Sequence, residues 1–424
     1  MKILFATMPF DGHFKPLTSL AVHLSERGHE VRWYAGPGYA KALAGLGIPH
    51  LPFRRARDVN GENLAELHPE RAKLKGPKLI AFEFEHVFVA NCEAHFEDVE
   101  EIRGEYAFDV VVVDSGFYAL KFIARKLDVP VYAVEPAPLM FNSVDAPPNF
   151  FGLKPARNPF DRVKHRVIHA MVSSTMKPGA KVFNGALGRH GLDPMETPQD
   201  FFDIPWQASK RCFQVGSPGL EFPRSDMPEN IEFVGALLPH RSGDGPPLPA
   251  KLENHDSVIL VSQGTVDNRE PGKLIEPTLE ALAGTEHLVV AATGGRNTAE
   301  LRQRHTAANL VIEDFVDYHA AFPRTKLFVT NGGYGSVLLA LSNGVPLLAA
   351  GVREGKNDVN VRIDYSGAGI DLRTEEAKPS QIAKGVERIL GDPGYATRAA
   401  ALRNELAGYE PLRIITDRIE SDLI

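Results

Sequence analysis

The chain has 424 residues, 43% of them hydrophobic and 24% charged, with 54 acidic against 47 basic side chains and a net charge of −7. That length exceeds one ordinary core and gives two or three domains. The composition excludes a mainly disordered chain, and the acidic balance argues against a nucleic-acid grip, which needs clustered Lys and Arg. With two cysteines, Cys92 and Cys212, there is no disulfide framework and no Cys-built zinc site, and a reducing cytoplasm is expected. No run approaches the roughly 18 apolar residues of a membrane span.

Lys2 to Thr7 is an apolar run soon interrupted by Asp11. It is too short for a secretory leader and is predicted to be a buried strand. DGHFKP at 11–16 reads as a loop, after which Leu17, Leu20, Ala21 and Leu24 recur at helical spacing. Arg27-Gly28-His29 ends that helix and EVRWYA resumes as a strand. DVVVVD at 109–114 is a β-branched run typical of a central parallel strand. Amphipathic YALKFIARKL follows it, then the strand PVYAVE at 130–135. This βαβ order predicts a parallel sheet with helices on both faces.

Residues 140–175 break the rhythm with PPNFFGLKPARNPF and a helical pattern around Val163, Val167, Ile168 and Met171. Such an insertion either walls a pocket or packs for stability alone. RSGDGPPLPA at 241–250 is a Gly- and Pro-dense linker. Beyond it the strand–loop–helix plan restarts with SVILVSQGT at 257–265, HLVVAATGG at 287–295, KLFVTNGG at 326–333 and PLLAAG at 346–351. From Gln381 onward the chain reads as consecutive helices. The predicted division is 1–240, the linker 241–250, 251–405, and a C-terminal helix at 406–424 that packs back on the first domain.

In open α/β sheets ligands bind beyond the carboxyl ends of the strands. The first strand delivers Asp11, Gly12 and His13 to that edge, and the run at 109–114 delivers Asp114. An imidazole held by a carboxylate is a general base, although a lone His or Asp there also serves as a helix cap. In the second half, TNGGYGSVLLAL opens a helix with Gly332, Gly333 and Gly335. Free first-turn amides at such a turn bind phosphate, and glycines admit the ligand to the backbone. The same glycines equally satisfy turn geometry alone. SQGT at 262–265 offers a further amide and hydroxyl. There is no GxGxxG after the first strand and no GxxxxGK[ST], which disfavours a dinucleotide oxidoreductase and a P-loop enzyme. No Asp-x-Asp pair occurs, so no metal ion or cofactor is expected at a diphosphate.

Over most of its length the chain resembles the family 1 glycosyltransferases of GT-B fold, the UDP-glycosyltransferase superfamily, in its macrolide and natural-product branch. The resemblance rests on MPFDGHFKPLTSLAVHLSERGHEV, VVVVDSGFYAL, VTNGGYGSVLLALSNGVPLL, NVRIDYSGAGIDL and LGDPGYATRAAALRNEL. It implies an α/β fold of two Rossmann-like parallel-sheet domains facing across a cleft. The first would bind an apolar small-molecule acceptor and the second a UDP- or dTDP-sugar. His13 would be the base and Asp114 its holder. Gly12 would lie at the donor. Gly264 and Thr265 would approach the phosphates. Phe315 would stack on the nucleotide base, whose edge the Val316 backbone would read. Asn331, Gly332, Gly333 and Ser336 would cradle the diphosphate. Met140, Phe141, Phe150 and Phe151 are candidates for the acceptor pocket.

Three positions depart from the family pattern. Asn331 stands where the family has His, Leu339 where many members have a ribose-binding Glu, and Gly355-Lys356 where an acid–Gln pair contacts the sugar. Glu354 is the nearest acid and, with Lys356, is assigned to the donor side. The predicted activity is inverting, metal-independent glycosyl transfer. A GT-B nucleotide-sugar epimerase and a non-catalytic transferase-like binding protein are the alternatives.

Overall fold

The computed structural model describes residues 1–422 apart from 242, 244, 254 and 265–266. It contains two parallel sheets. The first is built from β1 (Lys2–Ala6), β2 (Glu30–Ala35), β3 (His50–Pro52), β4 (Val110–Asp114), β5 (Val131–Glu135), β6 (Arg211–Val215) and β7 (Ile231–Gly235). Their spatial order is β3-β2-β1-β4-β5-β6-β7. The second sheet holds β8 (Val258–Ser262), β9 (Leu288–Ala292), β10 (Leu310–Glu313), β11 (Thr325–Thr330), β12 (Leu347–Ala349) and β13 (Gly369–Asp371). Its order is β10-β9-β8-β11-β12-β13. Every named pairing is parallel, as in Ile3 opposite Val110 and Val261 opposite Ala291. The central strands are apolar on both faces because helices cover both faces, and β4, β5, β8 and β9 are buried along their whole length.

Each sheet reverses its winding once, between β1 and β4 and between β8 and β11. Neighbouring loops part at such a point and leave a crevice at the carboxyl edge.

DGHFKP, expected as a loop, is helical. Asp11–Phe14 forms a turn of α-helix, Lys15–Leu17 a 3₁₀ turn with Pro16 in its first positions, and Thr18–Glu26 continues as α-helix. Gly12 and Pro16 do not break this run because first-turn amides need no intrahelical acceptor. His13 therefore sits on a rigid element.

The two sheets are braced together. Arg362, on the helix Lys356–Ser366, donates through Nε to Glu221 Oε2 at 2.9 Å, and both side chains are buried. Burial raises the Glu221 carboxyl, but Arg362 and Arg224 outweigh it and hold it below the ordinary range. Tyr334 donates its hydroxyl to Val215 O at 2.8 Å. The helix Pro411–Ser421 crosses back to the first sheet, where Glu420 meets Arg27 at 2.8 Å and Asp422 meets Arg211 at 2.8 Å. Among the described residues no helix is long and apolar enough to cross a membrane.

Candidate active site

His13 follows β1 and Asp114 ends β4, so the winding reversal of the first sheet sets them side by side. His13 Nδ1 lies 2.6 Å from Asp114 Oδ1. The same carboxylate accepts Met8 N at 2.7 Å and Gly116 N at 2.8 Å. A carboxylate receiving these donors fixes the imidazole with its proton on Nδ1, which leaves the Nε2 lone pair for a substrate proton. Asp114 is fully buried, whereas the His13 side chain retains 25% exposure. Gly116 is part of this arrangement: a Cβ there would lie 2.8 Å from His13 Cε1 and 3.0 Å from Asp114 Oδ1.

A row of aromatic rings leads away from His13. Its ring centroid is 6.1 Å from those of Phe10 and Phe88. Phe84 lies 5.6 Å from Phe88 and 6.1 Å from Phe150. Phe84 and Phe88 belong to a π-helical turn, Phe84–Val89, that continues the helix Pro77–Glu83. Such turns are rare and recur at functional sites. Sequence reading overlooked this segment. Its signal was the i, i+4 pair of phenylalanines in FEFEHVFV.

Of the four residues assigned to the acceptor, Phe150 reaches the junction of the two units. Its backbone lies at φ 69, a conformation uncommon for a bulky residue. Asp358 of the second unit holds it there, accepting Phe150 N at 2.5 Å and Gly152 N at 2.9 Å. Burial raises the Asp358 carboxyl, against the pull of Arg362 and the two amides. Met140 and Phe151 are half-buried against the core of the first unit. Phe141 is buried in that core, with the Arg224 guanidinium 5.3 Å from its ring centroid.

Glu135 ends β5 one strand from Asp114. It is buried, and its Oε1 has no hydrogen-bond partner among the described residues. Burial, with Asp114 and Glu221 nearby, pushes its carboxyl up to about 8.

The donor-side positions gather at the carboxyl edge of the second sheet. Gly264 (φ +78) follows β8, and a Cβ there would lie 3.7 Å from Asn331 Oδ1. Asn331 follows β11, is buried, and donates through Nδ2 to Gln263 O. Gly332 (φ +94) admits no side chain, since a Cβ would meet Asn360 Oδ1 at 2.1 Å. Gly333 precedes the helix Tyr334–Ser342 and has no side-chain cap, so the first-turn amides are available to an anion. Ser336 Oγ donates to Gly333 O at 2.8 Å.

Phe315 is exposed beside the turn after β9, its Cζ 3.4 Å from where a Cβ of Gly295 would stand. Val316 is half-buried against the core. Gly12 has nothing within 4 Å of its would-be Cβ. Thr265 lies outside the described residues. Glu354 Oε2 accepts Lys356 Nζ at 3.1 Å, and its other oxygen is 3.7 Å from Arg71 of the first unit. Leu339, half-buried against the core, offers no acceptor. Gly294, Gly295 and Asn360 complete this edge. HLVVAATGG, read as a strand and its loop, contained the first two, but no role at the site was assigned to them. Asn360 becomes visible only when its helix packs under Gly332.

Among the described residues one cluster, Glu93, Glu97 and His190, has three metal-ligating side chains together. Arg189 engages Glu93 at 2.5 Å, so a cation already occupies its charge.

Residues 276–420 match the family model described as erythromycin biosynthesis protein CIII-like, C-terminal domain. The chain is 32% identical to 4'-demethylrebeccamycin synthase of Lentzea aerocolonigenes, covering 99% of each chain. It is 28% identical to UDP-glycosyltransferase 2 of Phaeomoniella chlamydospora, over 99% of this chain and 95% of that one. The structure superposes on spinosyn rhamnosyltransferase complexed with thymidine diphosphate with a TM-score of 0.69 at 18% identity, covering 99% of this chain and 100% of that one. This last likeness establishes the GT-B fold. With the relation to the rebeccamycin enzyme along its whole length, the chain belongs to the family 1 natural-product glycosyltransferases and is a glycosyltransferase.

Proposed function

We propose that the protein is an inverting, metal-independent, cytoplasmic glycosyltransferase that moves a sugar from a UDP- or dTDP-sugar to a hydroxyl of an apolar small molecule. The observation that carries the reading is the His13–Asp114 pair, 2.6 Å apart, at the foot of an aromatic row that starts at Phe10 and Phe88. The acceptor hydroxyl gives its proton to His13 Nε2, and Asp114 stabilises the imidazolium. The acceptor oxygen attacks the anomeric carbon while the bond from that carbon to the diphosphate oxygen breaks. The electron pair leaves with the diphosphate, whose charge the amides at 333–336 stabilise. Attack opposite the leaving group turns an α-linked donor into a β-glycoside.

The rebeccamycin relative supports a natural-product acceptor. The thymidine diphosphate complex of the spinosyn enzyme and the UDP-glycosyltransferase relative support the two donor classes. An epimerase or a passive binding protein has no use for the pair or the aromatic row.

The test is donor turnover with and without a phenolic acceptor, with NMR of the product. A β-glycoside from an α-donor, transfer that persists in chelator, and loss of transfer with retained donor binding in His13→Ala are expected. Retained configuration, activity restored only by magnesium or manganese, or undiminished turnover of the variant overturns the proposal.

A further inference from the structure

The helix Pro159–Thr175, part of the insertion read as either walling a pocket or packing for stability, carries an uncovered apolar row. Phe160, Val163, Val167 and Met171 recur at i, i+3, i+7 and i+11 and so share one face. They are 87%, 55%, 63% and 41% exposed. The core-facing side is a different one, with His165 and Val172 buried and Ile168 half-buried. At helical spacing Arg162 and Arg166 flank the row on one side and Lys164 on the other. All three are exposed; Arg162 lies near enough to the exposed Asp145 to help lower its carboxyl. Residues 154–182 hold seven Lys and Arg side chains and a single carboxylate, Asp161, in a chain of net charge −7.

We propose that this face docks the protein on an anionic membrane surface, the helix lying in the plane of the headgroups. An apolar row bordered on both sides by cations lets the row enter the acyl boundary while Lys and Arg reach the phosphates. The row is a single convex ridge, which a bilayer receives without a complementary groove. A second copy of the chain fits poorly, because a two-fold pairing of this face sets Arg162, Lys164 and Arg166 against their own counterparts. The helix packs on Pro77–Glu83, which leads to Phe84 and Phe88. Docking therefore holds the aromatic row close to the phase in which apolar acceptors concentrate.

The test is sedimentation of the purified full chain with phosphatidylcholine vesicles, with and without phosphatidylglycerol. Binding is expected only with phosphatidylglycerol, and added salt should weaken it. The triple variant R162Q/K164Q/R166Q should bind roughly a hundredfold more weakly, and Phe160→Ser with Val167→Ser more than about tenfold. These side chains are exposed, so each variant should melt with the native protein. No binding to anionic vesicles at low salt, or equal binding by the variants, overturns the proposal. A dimer that the Phe160→Ser, Val167→Ser variant dissociates, or binding to polyglutamate but not to vesicles, assigns the face to a protein contact and also overturns it.

Discussion

Replacing Gly116 by Ala tests the geometry of the proposed base more finely than deleting His13. Gly116 lies outside the left-handed region, so alanine can adopt its backbone and the perturbation is a collision. The new Cβ would stand 2.8 Å from His13 Cε1, where ordinary contact begins at 3.4 Å, so the ring must retreat by about 0.6 Å. Asp114 is buried and held by the Met8 and Gly116 amides, so the imidazole gives way. A 2.6 Å hydrogen bond stretched by that amount leaves the charge-assisted range. General-base catalysis contributes about 10²–10⁴-fold. With the ring present but misplaced, kcat on an aliphatic alcohol should fall about a hundredfold, or ~2.7 kcal/mol. Donor affinity should hold, because the glycine turns lie on the other sheet. A phenol, with a pKa of about 10, needs less help and should lose less. Steady-state kinetics on both acceptors with calorimetric donor titration make the measurement. A folded Gly116→Ala enzyme with kcat on the alcohol within about threefold of native would refute the role given to the pair.

Glu135 gives a pH signature. Its carboxyl is raised from 4.5 to about 8 by burial first, then by Asp114 and Glu221. The native state therefore binds the proton more tightly than the unfolded chain. This stabilisation is complete below 4.5 and is lost as pH rises through about 8. Melting temperatures of the native protein should decline over that window, and Glu135→Gln should flatten the decline; parallel native and variant curves would show that Glu135 is not the buried neutral acid. The donor site should also discriminate weakly between ribose and deoxyribose. Leu339 presents no acceptor, Glu354 is engaged by Lys356 and Arg71, and Asp358 by the amides of Phe150 and Gly152. A missing charged hydrogen bond is worth about 1.5–3 kcal/mol, so parallel calorimetric titrations with UDP and dTDP should give similar affinities; a preference for UDP above roughly a hundredfold would mean that another residue reads the 2′-hydroxyl.

The sequence by itself determined the elements whose pattern is local. Continuous β-branched runs such as VVVVD are legible because a strand buried on both faces must be apolar throughout. The two-sheet plan follows from the order of such runs, and His13, Asp114 and the glycines at 332–333 follow from their place just after strands. DGHFKP was misread because a Gly and a Pro look like loop residues, yet in a first helical turn neither lacks a needed hydrogen bond. The tertiary structure alone decided what depends on approach between distant segments. Gly116 matters because the winding reversal brings the His13 ring over it, and Asn360 because its helix packs beneath Gly332. Phe84 and Phe88 join the site because the π-helical turn that carries them, 71 and 75 residues beyond His13 in the sequence, folds beside it. The apolar spacing of Val163, Val167 and Met171 was visible in the chain. Which side of that helix meets the core and which meets solvent was settled by packing, since periodicity marks a face but carries no information about what lies opposite it.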